Sequence, residues 1–324
     1  MADRTPFLVI NPHANEGKAE KMLEEILTTT KKVLGDFEYG VTTKLGDGIP
    51  IAKQAAKDGY KTILAVGGDG TLNEVVNVVA NTDIKIGMVP TGGSCDAYQT
   101  HAIPLNLKRS LEIVASGYSE KFSGGLAKGD SSRYFIDMVN SGLAGYVNEI
   151  EPTWGKPRLK GDLRYSIMAI DAAFKYKAVK SKILVDDQER EVNLAYFSLG
   201  LSDTVAGYEL IPGNHPKKGK LGVVIIRDLK NFRLVSVMLR LMFQSITRNK
   251  HAEILYGKKV IIESEKPMTW VAEGEIFSQK SKKVEVEFVP DIVNLIIPEG
   301  YQYEYSSKEK KRVQKAIKNG NFSG

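Results

Sequence analysis

At 324 residues the chain exceeds the usual single-domain size of roughly 100–200 residues, so two domains are the first expectation. Hydrophobic residues at 42% and charged residues at 26% exclude a disordered or fibrous chain. No apolar run approaches the ~20 residues of a membrane span, and the opening MADRTPFLVINP is too short for a signal-peptide core. A single cysteine, Cys95, excludes an intrachain disulfide and a cysteine-built zinc site, and suits a reducing cytoplasm. On charge alone, the net +6 favours an anionic partner: nucleic acid, nucleotide or anionic membrane.

In chain order, PFLVI reads as a strand ended by Asn11-Pro12, and the apolar spacing predicts a helix from Gly17 to Leu34. The alternation repeats: EYGVTT as strand, Ile49 to Asp58 as helix, TILAV as strand, Leu72 to Ala80 as helix. KIGMV then reads as a strand, PTGGSCD as a loop and Asn106 to Ser116 as a helix. Strands alternating with helices imply right-handed crossovers and a parallel sheet with helices on both faces. The loops NPHANEG, GGDGT and PTGGSCD all follow strands and should share the carboxyl edge, where such sheets bind ligands. After about Ser119 the texture turns β-rich, with Asp186-Asp187-Gln188 as a hairpin turn and helices at Asp162 to Lys177 and Asn231 to Thr247. KVEVEFV and VNLIIP read as separate late strands. The expected architecture is therefore an N-terminal α/β nucleotide-binding domain over 1–120 and a β-rich antiparallel sandwich over 121–290, with 291–324 returning to the first.

In VGGDGTLNEVVN, Gly67, Gly68 and Gly70 let the backbone approach a phosphate, and the following helix N-terminus favours negative charge. Asp69 conflicts with that field. A carboxylate beside phosphates makes sense where a divalent cation or a transferable proton lies between them, as in phosphoryl transfer. A plain strand-to-helix turn with an Asp or Thr N-cap is the alternative for a lone G-G-D-G.

GGDGTLNEVVN resembles the signature of the diacylglycerol kinase catalytic domain family, lipid kinases distantly related to NAD kinases. VINPHANEGKA resembles the family's Asn-Pro-x-Ser-Gly-x-Gly-x-Ala opening, and the segment from Thr42 to Val66, including Thr43, resembles its approach to the glycine loop. PTGGSCD stands where the family has Pro-x-Gly-Thr-x-Asn-Asp, and AEGE, Ala272 to Glu275, where it has Asp-Gly-Glu. The resemblance implies an ATP-dependent, magnesium-using lipid kinase in the cytoplasm, acting at a membrane surface from a cleft between its domains. Its implied partners are ATP and a diacylglycerol-like or long-chain-base acceptor; no nucleic acid is implied, and a homodimer is compatible. It places ATP on Asn11, Thr43, Gly67, Gly68, Asp69, Gly70, Thr71 and Glu74, with Gly92 and Gly93 closing the phosphate side. It gives Asp69 to magnesium or proton transfer. Glu275 is the first choice for the base that takes the lipid hydroxyl's proton, and Glu273 the second.

Several positions depart from the family pattern. Gly93 and Cys95 replace a threonine and an asparagine, with Ser94 beside them as a substitute hydroxyl. Gly145 stands where many relatives have aspartate, Glu273 adds a methylene to an aspartate position, and Lys218 replaces an acidic residue that helps bind a structural magnesium in bacterial members. Gly207 and Pro212 keep that second-domain pattern. Cys95 reads as a packed thiol, and the scattered histidines His13, His101, His215 and His251 as surface or packing residues without metal spacing. Phe232 to Lys250 could form an apolar face flanked by arginines, either packed on the sandwich or touching a membrane. Two rivals follow: a soluble NAD-kinase-like enzyme, and a nucleotide- or lipid-binding protein that has lost catalysis.

Overall fold

The computed structural model describes residues 5–93, 95–155, 161–205, 208–211, 214–227 and 251–301. The predicted helix at Asn231 to Thr247, the stretch to Lys250, the charged tail, Ser94, Gly207 and Pro212 lie outside them. Two compact units divide the chain. One comprises the described residues up to Gly124, Tyr134–Ile136 and those from Val289 on; the other comprises Gly125–Arg133 and the described part of Asp137–Phe288.

The first unit begins β1 (Phe7–Ile10), α1 (Ala14–Lys21), α2 (Leu23–Leu34), β2 (Glu38–Val41), α3 (Gly48–Lys57), β3 (Thr62–Gly67), α4 (Asp69–Val79) and β4 (Lys85–Pro90). α5 (Asp96–Thr100) and α6 (Leu107–Ser116) follow. The strands pair in parallel in the order β2-β1-β3-β4, with Ile10 level with Val41 and Val66, and Val66 with Val89. Side-chain alternation divides the core. Val9 joins Ile63, Leu72, Val75 and Ile86 on one face, while Leu8 and Ile10 join Ile26, Leu64 and Leu111 on the other. Both faces are thus apolar, which is why these strands read as continuous hydrophobic runs. The single helix predicted from Gly17 to Leu34 is two, because the Met22 N–H donates to Ala19 O three residues back and tightens the turn there. α6 is capped at both ends: the Asn106 side chain accepts from the Arg109 N–H, and Gly117 ends the helix at φ 67°.

From there run β5 (Ser119–Lys128), β6 (Ser132–Phe135), β7 (Met138–Gly142), α7 (Leu143–Ile150), α8 (Gly161–Lys175), β8 (Val179–Val185) and β9 (Gln188–Gly200). The short β10 (Thr204–Val205) and β11 (Tyr208–Glu209) precede β12 (Leu221–Arg227), β13 (Ala252–Gly257), β14 (Lys259–Ser264), β15 (Trp270–Ala272), β16 (Glu275–Ser278) and β17 (Lys283–Ile296). In the second unit the order β16-β15-β7-β9-β8-β14-β17 is antiparallel, and β12 adds to β9 and β13. α7 and α8 bury Leu143, Val147, Met168 and Ala172 against Tyr196, Val224 and Ile226 of the sheet. The β8–β9 hairpin turns on Asp186-Asp187, with Val185 opposite Gln188 and Asp186 at φ 48°.

KVEVEFV and the first four residues of VNLIIP belong to one strand, β17. Pro290 and Asp291, the latter at φ 53°, distort it without ending it. Its first residues pair antiparallel with β14 in the second unit, and Asn294 and Leu295 pair parallel with β4 in the first.

Candidate active site

In the first unit the strand register brings the loops after β1, β2, β3 and β4 to one edge. Backbone bonds tie them there: Asn11 N–H to Val66 O at 2.9 Å, Thr42 N–H to Ile10 O at 2.9 Å, and Thr91 and Gly92 N–H to Gly67 O at 2.9 and 3.1 Å. Two glycines here have separate steric reasons. A Cβ on Gly67 would sit 2.2 Å from Thr71 Oγ1, and one on Gly92 would sit 2.4 Å from Gly68 Cα. The β3–α4 and β4–α5 loops therefore touch backbone to backbone, and Gly68 serves as N-cap of α4 without any side-chain cap. Gly70 follows in the first turn of α4. Asn11 Nδ2 donates to the buried Thr71 Oγ1 at 3.1 Å, which couples the first loop to the third.

Asp69 opens α4, and its two carboxylate oxygens accept from the Asp96 and Ala97 N–H groups at 3.2 and 3.1 Å. It thus caps α5 across the two touching loops. An ionised carboxylate is a hard oxygen donor of the kind magnesium takes. Among the described residues no group of three or more His, Cys, Asp or Glu could hold a metal unaided. Magnesium in phosphoryl transfer is usually held by one or two carboxylates plus the phosphates themselves. The donor set fits an ion carried by a nucleotide at Asp69.

Thr43 is exposed, and its N–H and Oγ1 both donate to Asp47 Oδ2, at 2.9 and 2.6 Å. Those bonds, the hydroxyl first, hold the Asp47 carboxyl below the usual range. Glu74 is buried, and its Oε1 accepts from the Gly46 N–H at 2.9 Å; a Cβ on Gly48 would lie 2.1 Å from Oε2. The carboxylate thus ties the β2–α3 loop to α4, a positioning task. Sequence reasoning counted Asn73 and Asn77 in the motif but gave them no task. Both Nδ2 groups donate to Tyr134 O at 2.9 Å, and Asn77 Oδ1 accepts from the Tyr134 N–H. Their spacing of four on one helix was the available signal.

Gly93 has open space where a side chain would go, since a Cβ there meets nothing within 4 Å. Cys95 is buried at φ 51°, and desolvation, with Asp69 adding, pushes its thiol up to about 12. Such a thiol is inert at neutral pH. His101, also buried, packs edge-on against Phe122 at 4.4 Å.

In the second unit Glu273 and Gly274, at φ 51° and 84°, form a two-residue turn between β15 and β16. Positive φ at both positions marks a type I′ turn, for which an Asp-Gly pair is better suited than Glu-Gly. Glu273 is buried, and its Oε1 accepts from the Asp137 N–H at 2.7 Å. Glu275 opens β16, with its Oε2 2.7 Å from Arg133 Nη1 and its buried Oε1 accepting no hydrogen bond from the described residues. At Gly145 a Cβ would lie 2.0 Å from Thr269 O, so an aspartate at this position would collide with backbone. Lys218 closes a 3-10 turn, Pro216–Lys218, that begins at the buried His215.

Residues 5–127 match the diacylglycerol kinase catalytic domain, and residues 137–297 match the YegS C-terminal NAD kinase beta sandwich-like domain. Over residues 5–127 the chain carries the catalytic domain of the diacylglycerol kinase family. A diacylglycerol kinase of Staphylococcus haemolyticus (strain JCSC1435) is 27% identical over 332 residues, covering 98% of each chain. One from Staphylococcus carnosus (strain TM300) is 27% identical over 277 residues, 84% of this chain and 89% of that one. The crystal structure of a diacylglycerol kinase from Bacillus anthracis str. Sterne shares the fold at a TM-score of 0.67 and 18% identity, covering 92% of this chain and 98% of that one. The α/β first unit and the antiparallel second unit are the fold of this family.

Proposed function

We propose that this chain is an ATP-dependent lipid kinase whose acceptor is a diacylglycerol-like alcohol. The observation that carries the reading is the joined loop edge of the first unit. There Asn11 and Thr71, Gly67 to Asp69, and Thr91 to Gly92 are bonded together around a glycine-rich backbone and the N-terminus of α4, an arrangement suited to phosphates. Full-length similarity to enzymes named diacylglycerol kinase supports the choice of acceptor. Asn11, Gly67, Gly68, Gly70, Thr71, Gly92 and Gly93 hold the nucleotide phosphates; Thr43 and Glu74 fix the loop beside them. Asp69 holds α5 in place and would hold the nucleotide's magnesium, which would neutralise charge on the transferring phosphoryl group. Glu275 takes the hydroxyl proton as the lipid oxygen bonds to the γ-phosphorus and ADP leaves, a contribution of ~10²–10⁴ in rate. Glu273, bonded inward, supports the turn.

The test is purified protein with ATP, magnesium and mixed micelles carrying diacylglycerol, a long-chain base or no lipid, read by mass spectrometry. Phosphorylated diacylglycerol is the expected product. A phosphorylated long-chain base alone would move the acceptor. Phosphorylation of NAD without lipid would favour the second reading, which the NAD kinase-like sandwich supports. Nucleotide binding without any product would leave a binding protein.

A further inference from the structure

β16 is gripped from the side by the turn between β5 and β6. The Asp130 N–H donates to Ser278 Oγ at 3.2 Å, Ser131 Oγ donates to Phe277 O at 2.9 Å, and Asp130 Oδ2 accepts from the Gln279 and Lys280 N–H groups at 2.7 Å each. Gly129 permits the approach, since a Cβ there would lie 2.6 Å from Ser278 Cβ. The grip ends at Arg133, whose guanidinium meets Glu275 at 2.7 Å with both side chains about seven-eighths buried, at 13% and 16% exposure. A charge-assisted bond of this length in a mostly dry setting fixes direction as well as distance. It engages Oε2 and leaves Oε1 as an acceptor without a donor. An unsatisfied buried carboxylate oxygen is uncommon and asks for a reason. A long glutamate at the first position of a strand, just past a turn, would otherwise sample several rotamers.

We infer that Arg133 is a positioning residue for phosphoryl transfer, anchored by the turn between β5 and β6 and acting through Glu275, whose carboxylate it holds in one orientation. This rests on the reading of Glu275 as the base. Arg133 exchanges no proton; it sets the geometry from which Glu275 accepts one. Displacement of a catalytic group by about 1 Å can cost up to ~10²-fold in rate.

Steady-state kinetics of the full chain on diacylglycerol micelles test it. R133M should lower kcat roughly ten- to a hundred-fold with the KM for ATP unchanged, and R133K should recover much of the loss. R133M should lower kcat no further in an E275Q background, because the residue it positions is already gone. Wild-type kcat in folded R133M, or an equal further loss in the E275Q background, overturns the inference. Should R133M fail to fold, R133Q keeps a donor and similar size, and unchanged kcat there overturns it equally. E275Q with wild-type kcat would instead sink the base reading, and the positioning role with it. A large loss in E275Q beside an unaffected R133M would sink the positioning role alone.

Discussion

At the scale of single residues, adjacent glycines in one loop should behave oppositely. Gly92→Ala drives a Cβ to 2.4 Å from Gly68 Cα, and because the obstacle is backbone the two loops must part. Expected are a loss of about 1–3 kcal/mol in stability and ATP binding weakened about tenfold or more, read by melting and calorimetric titration. Gly93→Thr enters open space and should match wild type in melting temperature while restoring the family's hydroxyl. Asp69→Asn should fold, yet lower kcat by ~10² or more, because the charge facing the nucleotide's metal is removed and one of two acceptors at α5 becomes a donor. Undiminished turnover at saturating magnesium would count against that role. The glycine motif and Asp69 were legible because few functions need so bare a backbone beside a carboxylate. The α5 bonds of Asp69, the inward turn of Glu74 and the Arg133–Glu275 pair were hidden, since each joins residues 27 to 142 positions apart. Gly145, which looks in sequence like the loss of a functional aspartate, is a steric necessity under Thr269 O.

At the scale of elements, the alternation of apolar runs with helical periods revealed the parallel sheet, and the polar turn at Asp186 revealed a hairpin. Two boundaries were lost for local reasons. Met22 breaks a helix by a single tight bond that no sequence pattern marks, and β17 passes through a proline that ordinarily ends a strand. The short turn at Pro216–Lys218 carries a pH dependence. Burial first, then Lys217 and Lys218, lowers His215 from 6.5 to about 4. Between those values an unfolded chain takes up a proton that the folded chain refuses, so stability contributed above pH 6.5 is lost as pH falls toward 4. Melting temperature should drop across that window. His215→Asn keeps an acceptor for the Lys217 N–H, now made by Nδ1, and should flatten the drop. An unchanged pH profile in this variant would assign the acid sensitivity elsewhere.

For the whole molecule, the net charge of +6 and a lipid acceptor together predict an enzyme that works on an anionic surface. No helix among the described residues is long and apolar enough to cross a membrane. Basic residues near anionic headgroups contribute about 1 kcal/mol each, and salt screens them. Turnover in vesicles should rise with the fraction of anionic lipid and fall with added salt. Rates indifferent to both would point to capture of monomeric lipid from solution. The strand shared by both units also makes the molecule's assembly order depend on translation. β4 is among the earlier strands to be made, yet its neighbour Asn294-Leu295 is encoded about 200 residues later. At roughly 5–20 residues per second that is an interval of about 10–40 s. During it the first unit exposes an unpaired sheet edge to the ribosome surface and to chaperones, so a chain stalled before residue 294 should be far more prone to aggregate than the finished one.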